Sequence, residues 1–418
     1  MKPFDLIIGA ALGVGLAACA SVETQDDLAS VADTAPAELV EDSGLDIVVH
    51  EGDFAEIQQF TTPGGVSVWL VSEPSIPILS VAMAWEGGEA ADPEGLEGLA
   101  DAVVYHMNEG AGDLDSLAFQ TRMEDLNMSF GCSASSDWTS CSASMLTDNA
   151  DEAMSLVAQA FEAPRFDAGP FARFQREREV SLNTRETNAR YLAGRAEAQA
   201  IYPDHPYARE TSAESIAALT PELAKAHMRK LMVKDSLIVT AVGAITPEEL
   251  APMLDAIAES LPESNDLPET PEITFTVDGA FEPVLIDLPQ PQSLVRFLAP
   301  GLKREDPDFF TAYVVNYTYG GGGFGSRLME SLRVQKGLTY GVYTWLSFDD
   351  TYQNWGGSGQ TKNESVGEFV EALLAETALI AEEGITAEEL ADAKAYLTGS
   401  YPLAFDSNAK IAGQMMSV

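Results

Sequence analysis

The feature that most constrains this chain is that it states much of itself twice. "ILSVAMAWEGGEAADPEGLEGLADAVVYHMNEG", from Ile78, and "SLVRFLAPGLKREDPDFFTAYVVNYTYGGG", from Ser293, each run strand, loop with Asp-Pro, then apolar-rich helix, at a shift of roughly 211 to 214 residues. "LAFQTRMEDLNMSFGCSAS" matches "LMESLRVQKGLTYGVYTWL" as helix into strand, "DNADEAMSLVAQAF" matches "NESVGEFVEALLAE" as a helix, and "NARYLAG" matches "NAKIAG". The predicted fold class is α+β, two tandem homologous modules in which helices pack on a mixed, mainly antiparallel sheet. The first spans 46–263, the second 273–418, and the Pro- and acid-rich stretch around 264–272 is the linker. Copy one continues for about 65 residues beyond "NARYLAG" and includes "DSLIVTAVGAI", a continuous apolar run that marks a fully buried strand. Copy two stops at Val418 without a counterpart, so the second module is expected to be incomplete at its C-terminus.

Composition bounds the partners. An apolar fraction of 46% is ample for buried cores, and a net charge of −43 repels phosphate backbones, which excludes nucleic acid as a natural partner. The first residues, "MKPFDLIIGAALGVGLAACAS", read as a signal peptide over 1–19: one Lys, an apolar run too short to span a bilayer, then small residues before Cys19. Residues 20–45 are acidic and lack aromatics, and read as a disordered tether with a reach of about 25 to 30 Å. Cys132 and Cys141 would face each other in a hairpin turning at Ser136-Asp137, where either a disulfide or two buried thiols fits. "LAAC" resembles the lipobox of bacterial lipoproteins; Cys19 would then be lipidated and the chain held by its lipid on the periplasmic side of the outer membrane.

Two halves of this size, the strand-loop-helix opening, "HPYAR" at His205–Arg209 and above all "GGGFGSRLMESLRVQKGLTYGVYTWLS" resemble the pitrilysin/insulinase zinc peptidases, over nearly everything after residue 46. The resemblance implies paired α/β-roll domains, half of a clamshell around a peptide chamber. Its zinc motif, H-x-x-E-H inside a G-L-A-H-x-x-E-H-M frame, sets two imidazoles on one helical face and a carboxylate to activate water. Here the frame is Gly98-Leu99-Ala100, but Asp101, Val104 and Tyr105 stand where His, Glu and His belong, and Thr184 stands at the third ligand, a Glu in the family. His106 and Glu109 are neighbours at i, i+3, yet His50, His205 and His227 occur in no ligand spacing that would complete a displaced site. No metal is expected in this chain.

The other half of the family's reaction centre is retained. The resemblance places an Arg and a Tyr seven residues apart against the bound peptide, and Arg333 and Tyr340 have that spacing. A guanidinium can hold peptide carbonyls and a phenol can donate to an oxyanion. Gly320, Gly321, Gly322, Gly323 and Phe324 are expected in a loop that touches substrate; four consecutive glycines are costly inside a helix. No G-x-S-x-G elbow offers a serine nucleophile. The reading is therefore a non-zinc subunit that binds no cofactor itself, joined to an H-x-x-E-H chain that carries zinc, acting on extended peptides. The alternative is a peptide-binding or scaffold protein of the same fold with no catalytic role.

Overall fold

The computed structural model describes residues 44–52, 55–276 and 283–417; the leader with Cys19, and the tether up to residue 43, lie outside them. In chain order the first half forms strands β1 (Val48–Glu51), β2 (Glu56–Thr61), β3 (Ser67–Ser72) and β4 (Ile78–Glu86), helices α1 (Leu99–His106) and α2 (Ser116–Asp125), and strands β5 (Ser129–Ala134) and β6 (Trp138–Leu146). Helices α3 (Ala150–Glu162), α4 (Ala168–Arg185), α5 (Ala189–Ile201), α6 (Ala213–Ala218) and α7 (Pro221–Leu231), strand β7 (Ile238–Gly243) and helix α8 (Pro247–Ala258) come next. The second half forms β8 (Gln292–Pro300), α9 (Phe309–Asn316), β9 (Thr339–Phe348), β10 (Gln353–Lys362), α10 (Val366–Glu383), α11 (Ala387–Ser400) and α12 (Asn408–Met416). Among the described residues no helix is long and apolar enough to cross a membrane.

Local chemistry sets many of these limits. α7 and α8 both start Thr-Pro: Thr220 accepts from Leu223 N, and Thr246 forms a reciprocal capping box with Glu249. Seven strands pair in the order β1-β2-β3-β7-β4-β6-β5, and three in the order β8-β10-β9. β4-β6-β5 and β8-β10-β9 are the same arrangement, with β4 and β8, and β5 and β9, made from matching stretches of sequence. β7, from "DSLIVTAVGAI", lies between β3 and β4, parallel to the first and antiparallel to the second, and is buried from Val239 to Gly243. In the β5–β6 hairpin Ser135 N donates to Trp138 O at 2.8 Å, and Cys132 lies directly opposite Cys141. Their sulfurs are bonded at 1.99 Å across a Cα separation of 4.0 Å.

The chain packs into two compact units, neither of them contiguous. Of the described residues, those up to Val180 join Arg209–Pro268 and those from Ser400 onward in one; Ser181–Ala208 join those between Glu269 and Gly399 in the other. This differs from the division into 46–263 and 273–418, although the change at Pro268 falls inside the expected linker. The matching segments "NARYLAG" and "NAKIAG" mark the starts of α5 and α12, and each helix is built into the unit dominated by the other copy. In the first unit, Leu79, Val81, Met83 and Trp85 of β4 point to one face, where Trp85 meets Phe161 of α3 at 5.6 Å. α12 closes the opposite face: Ala412 and Met415 pack on Ile57, Trp69, Val71 and Val242. Thr240 donates to Ala412 O at 2.9 Å and Asn408 to Ile78 O at 2.7 Å, so the cover is fixed by polar contacts as well. In the second unit Glu197 of α5 pairs with Arg296 of β8 at 2.5 Å.

Candidate functional site

The start of α1 is built with care. Gly98, at φ +97°, adopts a left-handed conformation that a side chain would strain, and Asp92 caps the helix by accepting from Gly98 N, Leu99 N and Ala100 N at 2.8, 2.9 and 2.8 Å. His227 Nε2 lies 3.1 Å from Asp92 Oδ1 in a buried pair.

Beyond this cap, α1 carries an ion-pair lattice. Asp101 takes two bonds from Arg178 of α4, through Nε and through Nη2, the latter at 2.8 Å. The Tyr105 hydroxyl donates to Glu177 and accepts from Arg173 Nε, both at 3.0 Å, and Arg173 also reaches Glu109 at 2.6 Å. Glu109 accepts from Ser116 at 2.5 Å. The Arg178 guanidinium lies 5.2 Å over the Phe174 ring. Bonding to Glu109, then to Tyr105, holds Arg173 more firmly protonated than an ordinary arginine, and Asp101 does the same for Arg178. Val104 is buried and offers no donor atom. Thr184 is exposed at the end of α4, in the second unit, and its hydroxyl donates to Ser181 O at 2.8 Å.

These residues do not fit a zinc ion. The one carboxylate at a ligand position is engaged by a guanidinium, and the other positions carry an alkyl group, a phenol and a hydroxyl. His106 is fully buried, stacked between Phe166 and Phe171, with Nδ1 2.6 Å from Ala102 O; burial lowers its pKa and keeps the ring neutral. The remaining histidines are engaged separately: His50 with Gln59, His205 with Pro271 O. Among the described residues no three His, Cys, Asp or Glu side chains converge as a metal site. The sequence reading missed Arg173 and Arg178. The available signal was the basic run Arg173, Arg176, Arg178 on the helix that would carry the third ligand.

The second unit assembles the other expected residues. α9 does not end at the glycines but widens into a five-residue turn, Tyr317–Gly321, closed by Gly322 N donating to Tyr317 O at 2.7 Å. This corrects the expected loop: Gly320 and Gly321 are wound into the helix end. They are glycine because the turn packs too closely for side chains. A Cβ on Gly320 would stand 2.6 Å from Thr344 Oγ1, and one on Gly322 would stand 2.7 Å from Tyr317 O. Gly320 is buried, so the accessible part of the segment begins at Gly321 and reaches Phe324, which is 71% exposed. A second wide turn, Met329–Gln335, carries Arg333, whose guanidinium lies 4.5 Å over the Phe324 ring. The structure therefore brings Arg333 and Phe324 together.

Tyr340 is presented by a register shift. Thr361 pairs with Thr339 and Gly359 with Val342, so two steps along β10 answer three along β9. The extra residue makes a bulge, which lets Thr339 and Val342 both point inward and turns Tyr340 out, 81% exposed. Such a large exposed aromatic has apolar area available for a ligand or partner.

Residues 67–213 match the family model for insulinase (peptidase family M16), and residues 218–397 match that for the peptidase M16 inactive domain. The chain is 28% identical over 331 residues to the non-peptidase homolog YmxG of Helicobacter pylori, covering 78% of this chain and 76% of that protein. It is 20% identical to the uncharacterized zinc protease YmxG of Bacillus subtilis, over 85% of this chain and 86% of that one. Among solved structures, the peptidase M16 inactive domain from Pseudomonas fluorescens superposes with a TM-score of 0.78 at 27% identity, covering 86% of each chain. The periplasmic protease PqqL from Escherichia coli gives 0.75 at 17% identity, over 92% of this chain and 42% of that one.

Proposed function

This chain belongs to the insulinase (peptidase M16) family as a member that is not catalytic alone, and on that premise we propose that it is the non-zinc subunit of a heterodimeric zinc peptidase. The partner, an H-x-x-E-H chain, supplies the metal, the water-activating carboxylate and the strand along which an extended peptide docks. This chain supplies chamber wall, Arg333 and Tyr340. The observation that carries the reading is the presentation of Tyr340 on a bulge in the hairpin that comes after Arg333. Bulges gather at sheet edges and next to active sites, where they re-aim a side chain, and β9 is an edge strand whose bulge aims Tyr340 outward. The Arg333 guanidinium, preordered against Phe324, donates to peptide carbonyls; the Tyr340 hydroxyl donates to the oxygen that becomes negative as the scissile carbonyl turns tetrahedral.

Lipidation at Cys19 and the acidic tether place the complex on the periplasmic side of the outer membrane in this reading, where it cleaves unfolded segments and short peptides. The ion-pair lattice on α1 favours a second reading, since it would also suit a peptide-binding scaffold that never meets zinc. Copurification separates them. The subunit reading expects a tagged chain to bring down an H-x-x-E-H protein, and peptide hydrolysis to require both; recovery without such a chain, with peptide binding intact, leaves the scaffold.

A further inference from the structure

The second unit contains a cleft of about 480 Å³ that the proposed peptidase role does not use. It sits toward the turn between β9 and β10, and its lining residue Trp345 lies five residues along β9 from Tyr340, about 17 Å away. Its lining includes Glu197, Arg296, Trp345, Asp349, Tyr352 and Asn354. The Glu197 side chain is only 7% exposed and is held by Arg296 Nε at 2.5 Å, while the Arg296 guanidinium lies 5.2 Å from the Trp345 ring centre. Arginine here is balanced by one carboxylate and covered by one ring. The exposed carboxylate of Asp349 leaves this lining with one net negative charge.

Two buried polar groups in the lining have no protein partner. Tyr352 is 7% exposed and its hydroxyl is unpaired; Asn354 is 5% exposed and its Oδ1 is unpaired. Each such group destabilises the fold if it is left unmet. An amide oxygen can only accept, and a phenol oxygen can accept, so both needs are met by a ligand that brings N–H donors. Tyr202 lies edge-on to Tyr352 at 5.3 Å, which adds aromatic surface of the kind that attracts cations. A carboxylate or phosphate would meet Glu197 and Asp349, and a neutral apolar group would leave Asn354 unpaired.

We propose that this cleft binds an alkylammonium group, carried by a lysine side chain of an extended peptide or by a free alkylamine. The assignment is independent of the zinc partner, so it stands or falls apart from the subunit reading. Isothermal titration of the purified chain tests it with n-butylammonium, with butyrate, and with short peptides that differ only in lysine against norleucine. Saturable binding of n-butylammonium and none of butyrate is expected. Glu197→Gln should weaken it by at least about tenfold, the loss of a charge-assisted contact. Because Glu197 also pairs with Arg296, Asp349→Asn on the exposed rim provides a second variant, expected to weaken binding about threefold with an unchanged melting temperature. Preference for the lysine peptide over the norleucine peptide identifies a peptide as the source; equal binding of the two, with n-butylammonium still bound, identifies a free amine. Absence of saturable ammonium binding, tighter binding of butyrate, or unchanged affinity in both variants overturns the proposal.

Discussion

At the scale of single residues, the α1 segment is tied to α4 by charge pairing: Arg178 with Asp101 and Arg173 with Glu109. Arg178→Ala leaves Asp101 half-buried without its cation, and an expected loss of about 1–3 kcal/mol lies between the values for exposed and buried pairs. Urea unfolding measures it, with Thr184→Ala as the control, expected within about 0.5 kcal/mol of the parent because that side chain is exposed. In the sequence, Gly98-Leu99-Ala100 fixes the register in which Asp101, Val104 and Tyr105 are read. The lattice was not legible there. Arg178 is 77 residues from Asp101, and nothing local in either segment encodes a pairing that only the packing of α4 on α1 creates.

At the scale of elements, the wide turns and the bulge are what present Arg333, Phe324 and Tyr340. Gly322→Ala would set a Cβ against the Tyr317 carbonyl and should cost about 1–3 kcal/mol, whereas at Gly325 a Cβ meets nothing within 4 Å and Gly325→Ala should be tolerated. Thermal melts of the two variants compare them directly. Arg327, just after the glycines, ties this segment to α11 through Glu389 and to the end of α10 through the Gly384 carbonyl. That pairing, helped by the capping contacts of Thr386, lowers the Glu389 pKa from an ordinary value near 4.5 to about 2. A carboxyl with a depressed folded pKa takes up protons more readily when unfolded. Its stabilisation is therefore full above about pH 5 and lost as pH falls through 4.5 toward 2. In Glu389→Gln the acid-unfolding profile should flatten over that window; an unchanged slope there would mean that Glu389 does not supply the pH dependence. Helix and strand types were readable from periodicity here, but the continuation of α9 into glycines was not, since a run of four glycines argues against helix until Thr344 and Tyr317 show why nothing larger fits.

At the scale of the molecule, the two copies of the repeat are joined by more than a linker, because α5 and α12 are each built into the unit made mostly by the other copy. Deleting residues from Asn408 onward would uncover Trp69, Val71 and Val242, and burying each such large side chain is worth about 1.5–3 kcal/mol. A steep fall in melting temperature is expected in differential scanning calorimetry; a shift no larger than that of a surface variant would mean the helix is dispensable. The repeat was legible as two copies, but their exchange was not: matching segments look alike whichever sheet they cover. The central claim remains that this chain brings the half of a reaction centre that steadies the developing oxyanion. The direct measurement is the turnover of a peptide by the chain together with its zinc-bearing partner, comparing the parent with Tyr340→Phe at equal assembly. A fall in kcat of about a hundredfold or more, with little change in KM, is the result predicted for a lost transition-state donor. Full activity in Tyr340→Phe, with the two chains still associated, would contradict it.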